Sequence, residues 1–269
     1  MAELLKVTRS GPGDVVARVT LARPEVRNAF NAELIAELHA AFAALADEPA
    51  ARLRAVVLAG EGRAFSAGAD VSWQRAAMEL SLEQNEADAA RLQAMLAAID
   101  DCPAPVLVRA HGAVLGGGMG LCSVADIVVA SADATFGFTE TKLGILPAVI
   151  APFVLARIGE GHARALFPTG QRFDTERAQR IGLVHEVVSD EAALEPRISE
   201  LLDELLSAGP EAARQAKALI RTWRGLDPGA FRAHSVAVAA RRRVSPEGQE
   251  GLGAFLDKRH PAWIASEED

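Results

Sequence analysis

The sequence predicts an α/β fold in which a body of alternating strands and helices, residues 1–190, precedes a helical region, residues 191–269. Short β-branched apolar runs alternate with segments of helical period as far as about residue 188. From Ala192 onward only helical patterns occur. The stretch GAVLGGGMGL, residues 112–121, follows one of the predicted strands and indicates a turn in which a ligand lies against the backbone.

The body starts with a predicted strand, Asp14–Ala22, and a helix whose N-cap is Asn31. Ser81 and Gln84 form a capping box that predicts a second long helix ending near Ile99. The apolar stripe of the first helix is predicted to be Leu34, Ile35, Leu38, Phe42 and Leu45. Further strands are predicted at Arg54–Gly60, Pro105–Ala113, Asp126–Ala130, Ala134–Phe138 and Gly182–Val188.

The helical region contains two start signals in which proline occupies the first helical position, Pro210 and Pro246. The helices that follow carry apolar stripes of Ala216, Leu219, Ile220 and Trp223, and of Leu252, Phe255 and Leu256. Helices with one apolar face need a surface to cover it, so we expect this region to contact a neighbouring subunit.

Composition argues against several classes of function. The net charge of -8 and the pI of about 5.4 do not resemble the basic footprint of a nucleic-acid-binding protein. No apolar run is long enough to cross a bilayer, and the first residues lack a secretory-signal pattern. Cys102 and Cys122 have no paired spacing, and the six histidines show no metal-ligand spacing. We therefore expect a cytoplasmic protein without a metal or a membrane partner.

Four interpretations of the glycine-rich turn can be compared. A dinucleotide fingerprint fails because Leu121 stands where the third glycine is needed, and a P-loop fails because no Gly-Lys-Ser/Thr follows. An oxyanion hole remains, since the turn leads into a helix N-terminus with free N–H groups. From this stretch alone, a glycine-rich helix crossing without a ligand stays open as the alternative.

A second turn rich in small residues, EGRAFSAGADVSW, follows the strand that ends at Gly60. It is not a nucleophile elbow, because Ala64 stands where G-x-S-x-G needs glycine, so Ser66 is a poor candidate nucleophile. Two such turns can each offer one N–H to the same oxygen.

Taken together, these stretches resemble the crotonase family of enoyl-CoA hydratases and isomerases. The resemblance rests on NAF (28–30), RAFSAGAD (63–70), HGAVLGGGMGL (111–121), ADIVVAS (125–131), ATFGFTETKLGILP (134–147) and GLVHEVV (182–188). The later stretches look most like bacterial 3-methylglutaconyl-CoA hydratases. The resemblance implies a crotonase-type spiral of stacked ββα units with a C-terminal helical trimerisation region, assembled as a trimer or a dimer of trimers.

The resemblance also implies roles for individual residues. The N–H groups of Ala69 and Gly117 would bind the thioester oxygen of an acyl-CoA, and Glu140 would be the catalytic acid/base. The backbone around Ala67 and Asp70 would lie near the adenine of CoA. Arg27 and Lys258 would approach its phosphates. The CoA thioester would be the substrate, and no prosthetic group is implied.

One position departs from the family pattern. Many hydratases carry a second glutamate three residues after the middle glycine, where this chain has Gly120. A lone glutamate suits either hydration through an ordered water or an isomerase that moves a proton between two carbons. The predicted function is hydration of an enoyl-CoA. A branched or carboxylated acyl group is the finer expectation, with Arg75 or Arg91 as candidate partners of a substrate carboxylate. A Δ-isomerase and a non-catalytic CoA-binding subunit are the alternatives.

His111 is expected to be a structural histidine.

Overall fold

The computed structural model describes residues 4–264, and its main layer is a six-stranded sheet of order β1-β2-β3-β4-β6-β9. β1 pairs antiparallel with β2, and every later pairing in this sheet is parallel. A smaller sheet has the order β5-β7-β8. The strands are β1 (Leu5–Ser10), β2 (Val16–Leu21), β3 (Ala55–Gly60), β4 (Val106–Ala110), β5 (Ala113–Leu115), β6 (Ile127–Ser131), β7 (Thr135–Gly137), β8 (Arg172–Asp174) and β9 (Glu186–Val188).

Helices connect and cover these strands. In the body they are α1 (Ala32–Ala46), α2 (Val71–Ala77), α3 (Leu82–Asp100), α4 (Gly117–Val124), α5 (Ala151–Leu166) and α6 (Thr175–Arg180). After β9 follow α7 (Leu194–Ser207), α8 (Pro210–Trp223), α9 (Pro228–Val244) and α10 (Pro246–Leu256). A positive φ at Gly159 interrupts α5.

The body is a spiral of stacked ββα turns. Each turn gives one strand to the large sheet and a short extended segment to a second layer: β3 is followed by residues 64–69, β4 by β5, and β6 by β7. Isolated bridges join the second layer, from Phe30 to Ala69 and from Ser66 to Val114. This repeat brings the loops that follow successive strands side by side, and the predicted site residues lie on them.

The predicted strand Pro105–Ala113 is wrong as a single element, because the chain turns at Gly112 and forms β4 and β5. Gly112 has a φ of 56°, and a Cβ atom there would collide with the carbonyl of Arg63. The strand therefore ends where the neighbouring spiral turn crosses it closely.

Both faces of the large sheet are covered. The apolar stripe of α1 is buried as predicted, and the capping box of Ser81 and Gln84 starts α3 as predicted. On the opposite face, Leu194 and Ile198 of α7 pack on Val57, Leu107 and neighbouring strand residues. The first helix after residue 190 is thus part of the sheet's packing, and the division of the chain near residue 190 stays a prediction.

α8 is tied to the body by cationic side chains, and α9 and α10 pack beside it. Lys217 Nζ lies 2.6 Å from Asp126 Oδ2, and Arg214 donates to the carbonyls of Glu48 and Leu53. Their apolar stripes are largely exposed in the single chain, as shown by Ile220 (66% exposed) and Phe255 (77% exposed). The surface that covers them is not supplied by the described residues of this chain.

Candidate active site

The turn after β3 is held against the next spiral turn by backbone hydrogen bonds. Phe65 N donates to His111 O at 2.9 Å, and Ser66 N donates to Ala113 O at 3.1 Å. Leu115 N returns a hydrogen bond to Ser66 O at 2.9 Å. Ser66 is fully buried and its hydroxyl donates to a backbone carbonyl, which agrees with its prediction as a poor nucleophile.

The N–H group of Ala69 is turned away from its neighbouring segment. Phe30 N donates to Gly68 O at 2.6 Å, and Asp70 N donates to Phe30 O at 2.8 Å. In a parallel bridge of this kind the residue between the two partners, here Ala69, directs its own N–H to the opposite side. Ala69 is among the lining residues of a cavity on this side of the sheet turns.

Asn28 braces this turn, and sequence analysis assigned it no role. Its side-chain amide donates to Glu61 O and Ala64 O, both at 2.8 Å, and its Oδ1 accepts from Arg23 N at 2.9 Å. Asn28 is completely buried with a φ of 54°, a conformation that asparagine tolerates better than most residues. The signal was present in the NAF motif, but the partners of the amide are visible only in the fold.

The second turn leads into α4. Gly116, with φ 49° and ψ -114°, donates to Gly137 O at 3.0 Å, and Gly117 is the first helical residue. A Cβ atom on Gly117 would stand 2.6 Å from the Phe30 ring, and one on Gly118 would stand 2.8 Å from Ser66 O. The glycines are therefore required by the close approach of the two turns.

Two amides on this wall are available to a ligand. Within residues 4–264, neither Ala69 N nor Gly117 N donates to a protein acceptor. Gly117 is at a helix N-terminus, where N–H groups have no intrahelical partner and the helix dipole favours negative charge. Both residues line the same cavity, which has a volume of about 490 Å³.

Glu140 reaches the same cavity from the segment after β7. It begins a 3-10 turn, Glu140–Leu143, and its Oε1 would be 3.3 Å from a Cβ atom on Gly116. Its Oε2 is buried and has no hydrogen-bond partner among the described residues. Burial raises the pKa of the Glu140 carboxyl, because desolvation penalises its charged form. Such a carboxyl is suited to exchanging a proton with a ligand.

Position 120 has no room for a second carboxylate. A Cβ atom on Gly120 would lie 2.7 Å from Ile150 Cγ2 and 3.4 Å from Leu96 Cδ1. Ile150 itself lines the cavity, so an apolar side chain occupies the place that a second acid would need. The absence of a second glutamate is visible in the sequence, whereas the packing of Ile150 into its place is visible only in the fold.

The cavity brings together four of the predicted site residues, Ala67, Ala69, Gly117 and Glu140. The other three, Arg27, Asp70 and Lys258, are not among its lining residues. The candidate partners of a substrate carboxylate, Arg75 and Arg91, are also outside the lining, whereas their neighbours Trp73 and Gln74 are part of it.

Asp70 has a structural position in this fold. Its side chain caps α2 by accepting from Ser72 N at 2.8 Å, and Arg23 Nη2 lies 2.9 Å from its Oδ2. The Ser72 hydrogen bond, together with Arg23, holds the pKa of the Asp70 carboxyl below its usual value. Arg27 and Lys258 are exposed to solvent, and both have a positive φ.

His111 is structural, as predicted. It is 1% exposed, its Nε2 donates to Gly62 O at 2.8 Å, and its Nδ1 is 3.0 Å from Arg109 Nη1. Among the described residues no group of acidic, histidine or cysteine side chains is arranged to hold a metal ion. In the same part of the chain, no helix is long and apolar enough to cross a membrane.

Comparison with known proteins agrees with this geometry. Residues 12–266 match the family model described as enoyl-CoA hydratase/isomerase. The crotonyl-CoA hydratase of Syntrophomonas wolfei is 32% identical, with 90% of this chain and 92% of that protein covered.

Solved structures show the same fold. Pseudomonas aeruginosa AtuE has a TM-score of 0.92 at 39% identity, covering 98% of this chain and 100% of that one. An enoyl-CoA hydratase from Shewanella pealeana has a TM-score of 0.90 at 34% identity, covering 97% and 96%. The fold is thus the crotonase-type spiral, and the chain belongs to the enoyl-CoA hydratase/isomerase family.

Proposed function

We propose that this protein catalyses the reversible addition of water to the 2,3-double bond of an enoyl-CoA thioester. One observation carries the proposal: two unpaired amides, of Ala69 and Gly117, share a cavity with the unpaired, buried carboxyl of Glu140. The names of the relatives, among them a crotonyl-CoA hydratase, support the same reaction type.

In this proposal the two amides bind the thioester oxygen. Addition at C3 pushes an electron pair onto that oxygen, and donors fixed on rigid turns stabilise the resulting enolate without reorganising. Loss of one such donor typically raises the barrier by about 3–4 kcal/mol. The packing of Phe30 and Ser66 against the glycines holds both donors in place.

Glu140 then carries the proton in both halves of the reaction. Its carboxylate accepts a proton from water as the water oxygen bonds to C3. The carboxylic acid formed in this way donates that proton to C2 of the enolate. One glutamate therefore balances the addition of one water, and its raised pKa brings the two protonation states closer together in energy.

A second candidate is a Δ-isomerase, favoured by the packing of Ile150 into the place of a second acid. In that reaction Glu140 would move a proton between two carbons of the acyl group without water. The same amides would stabilise the enolate, so the two candidates differ in the product and not in the residues used.

The remaining assignments belong to the same proposal. Arg27 and Lys258 would contact the CoA phosphates, and Ala67 and Asp70 the region near the adenine. The exposed stripes of α8 and α10 would be covered in a homotrimer or a dimer of trimers, and the protein would act in the cytoplasm. A 3-methylglutaconyl acyl group is the finer substrate assignment from the sequence.

Replacement of Glu140 by glutamine tests the proposal. We expect E140Q to lose turnover of a trans-2-enoyl-CoA while it binds a saturated acyl-CoA with unchanged affinity. Glu160→Gln is the matched control, because the Glu160 side chain is 77% exposed and pairs with Arg164 on the same helix. Undiminished turnover in E140Q would refute the assignment. If wild type also shows no turnover of the enoyl-CoA, the non-catalytic alternative is favoured.

A further inference from the structure

Beyond Glu140, the cavity is lined mainly by apolar side chains. They come from α2, from α3 and from the segment at residues 143–150, and include Val71, Trp73, Leu92, Leu143, Leu146 and Ile150. Several are exposed to solvent, such as Leu146 at 72%. An aliphatic chain placed here would remove this apolar surface from water, which is favourable.

The charged groups of the cavity are all acidic. Among the described lining residues there is no arginine, lysine or histidine, and the charged side chains are those of Glu140 and Asp88. Asp88 lies on the face of α3 that also carries Asn85, Ala89 and Leu92, all of which line the cavity. This face therefore places a carboxylate beside the path of the acyl chain.

The nearest cation on α3 does not reverse this charge. Arg91 forms an ion pair with Asp88, but the Arg91 side chain is 57% exposed and that of Asp88 only 15%. The carboxylate therefore faces the protein while the guanidinium faces solvent, outside the cavity lining. Water screens the exposed guanidinium, so it offsets little of the Asp88 charge on the cavity side.

We infer that the acyl group of the substrate is uncharged and that Asp88 is a specificity-determining residue that excludes carboxylated acyl groups. The inference rests on the proposed function but replaces its finer substrate assignment, because a 3-methylglutaconyl group carries a carboxylate. A substrate carboxylate would lose water beside Asp88 without gaining a cation, and both desolvation and like charge oppose this. An aliphatic group of the same shape meets neither obstacle.

An isosteric substrate pair tests this inference. Glutaconyl-CoA ends in a carboxylate, and 5-methylhex-2-enoyl-CoA carries an isopropyl group in the same place. We expect wild-type kcat/KM to be at least about tenfold higher for the uncharged member, a factor typical of an uncompensated polar group. The saturated pair, glutaryl-CoA and 5-methylhexanoyl-CoA, should show the same order in Kd.

Variants assign the selectivity to Asp88. D88N should raise kcat/KM for glutaconyl-CoA several-fold and so reduce the ratio of kcat/KM between the uncharged and the charged substrate. Glu86 is an exposed charge on the same helix outside the cavity lining, so Glu86→Gln should leave this ratio unchanged. Because D88N also releases Arg91, the double variant D88N/R91Q must keep the gain. A gain that disappears in the double variant would assign the effect to Arg91 and overturn the role of Asp88.

Two other results would overturn the inference: equal or faster turnover of glutaconyl-CoA by wild type, or a selective loss of glutaconyl-CoA turnover in R91Q. Failure of the proposed function looks different. In that case neither enoyl-CoA is converted, and the Kd values of the saturated pair still decide between charged and uncharged acyl groups.

Discussion

The contact between position 120 and Ile150 can be measured through protein stability. A Cβ atom on Gly120 would stand 2.7 Å from Ile150 Cγ2, closer than real Cβ contacts allow. Overpacking of this kind costs about 1–3 kcal/mol, while alanine in place of a helical glycine gains about 1 kcal/mol. We therefore expect Gly120→Ala to lower the free energy of unfolding by about 0–2 kcal/mol in wild type.

Two changes at Ile150 separate the clash from other effects. I150A removes Cγ2, so G120A should then gain about 1 kcal/mol in that background. I150V removes only Cδ1 and keeps Cγ2, so G120A should cost the same as in wild type within about 0.5 kcal/mol. The expected coupling between G120A and I150A is thus about 1–3 kcal/mol, and it should be near zero with I150V.

Urea unfolding of wild type and the five variants at one protein concentration measures this coupling, since assembly would otherwise change the apparent stability. The decisive quantity is the effect of G120A on the free energy of unfolding in the I150A background compared with its effect in wild type. If G120A is equally stabilising in wild type, I150V and I150A, then Ile150 does not fill the place of a second acid, and the physical reason for a lone glutamate fails.

Three further predictions follow from burial and close packing. E140Q should raise the Tm at pH 7–8, because a carboxyl with a raised native pKa destabilises the fold above its unfolded pKa of about 4.3. The gain in Tm should vanish below that pH, and a gain independent of pH would contradict this reasoning. Burial raises the pKa of the Cys122 thiol to about 12, so a thiol reagent should label it only after unfolding, and labelling of the native protein would contradict the packing. Gly117→Ala should cost at least tenfold in kcat/KM, since its Cβ would meet the Phe30 ring, whereas Gly161→Ala, with nothing within 4 Å, should leave activity unchanged; equal effects of the two would refute the close approach.

Local patterns predicted the local structure well. The stripe from Leu34 to Leu45 and the capping box at Ser81 are set by residues three or four positions apart, so the sequence contains the whole signal. β1 was not predicted, because it is an edge strand in which only Leu5 is buried. β8 was not predicted either, since three residues carry almost no period.

The long-range contacts of the site could not be predicted. The pairing of Arg23 with Asp70 and the packing of Ile150 against Gly120 join residues that are distant in sequence. The family resemblance located Ala69, Gly117 and Glu140, and the fold places all three on one cavity. The resemblance could not show that the described cavity lining lacks a cation, because the lining depends on which face of α3 carries Asp88.

The most direct test of the central claim is the mass of the product formed from a trans-2-enoyl-CoA in deuterated water. We expect wild type to add one water and to place one solvent deuterium at C2, and E140Q to form no product. A product of unchanged mass apart from deuterium, with its double bond moved, would show that Glu140 works as an isomerase base and would contradict hydration.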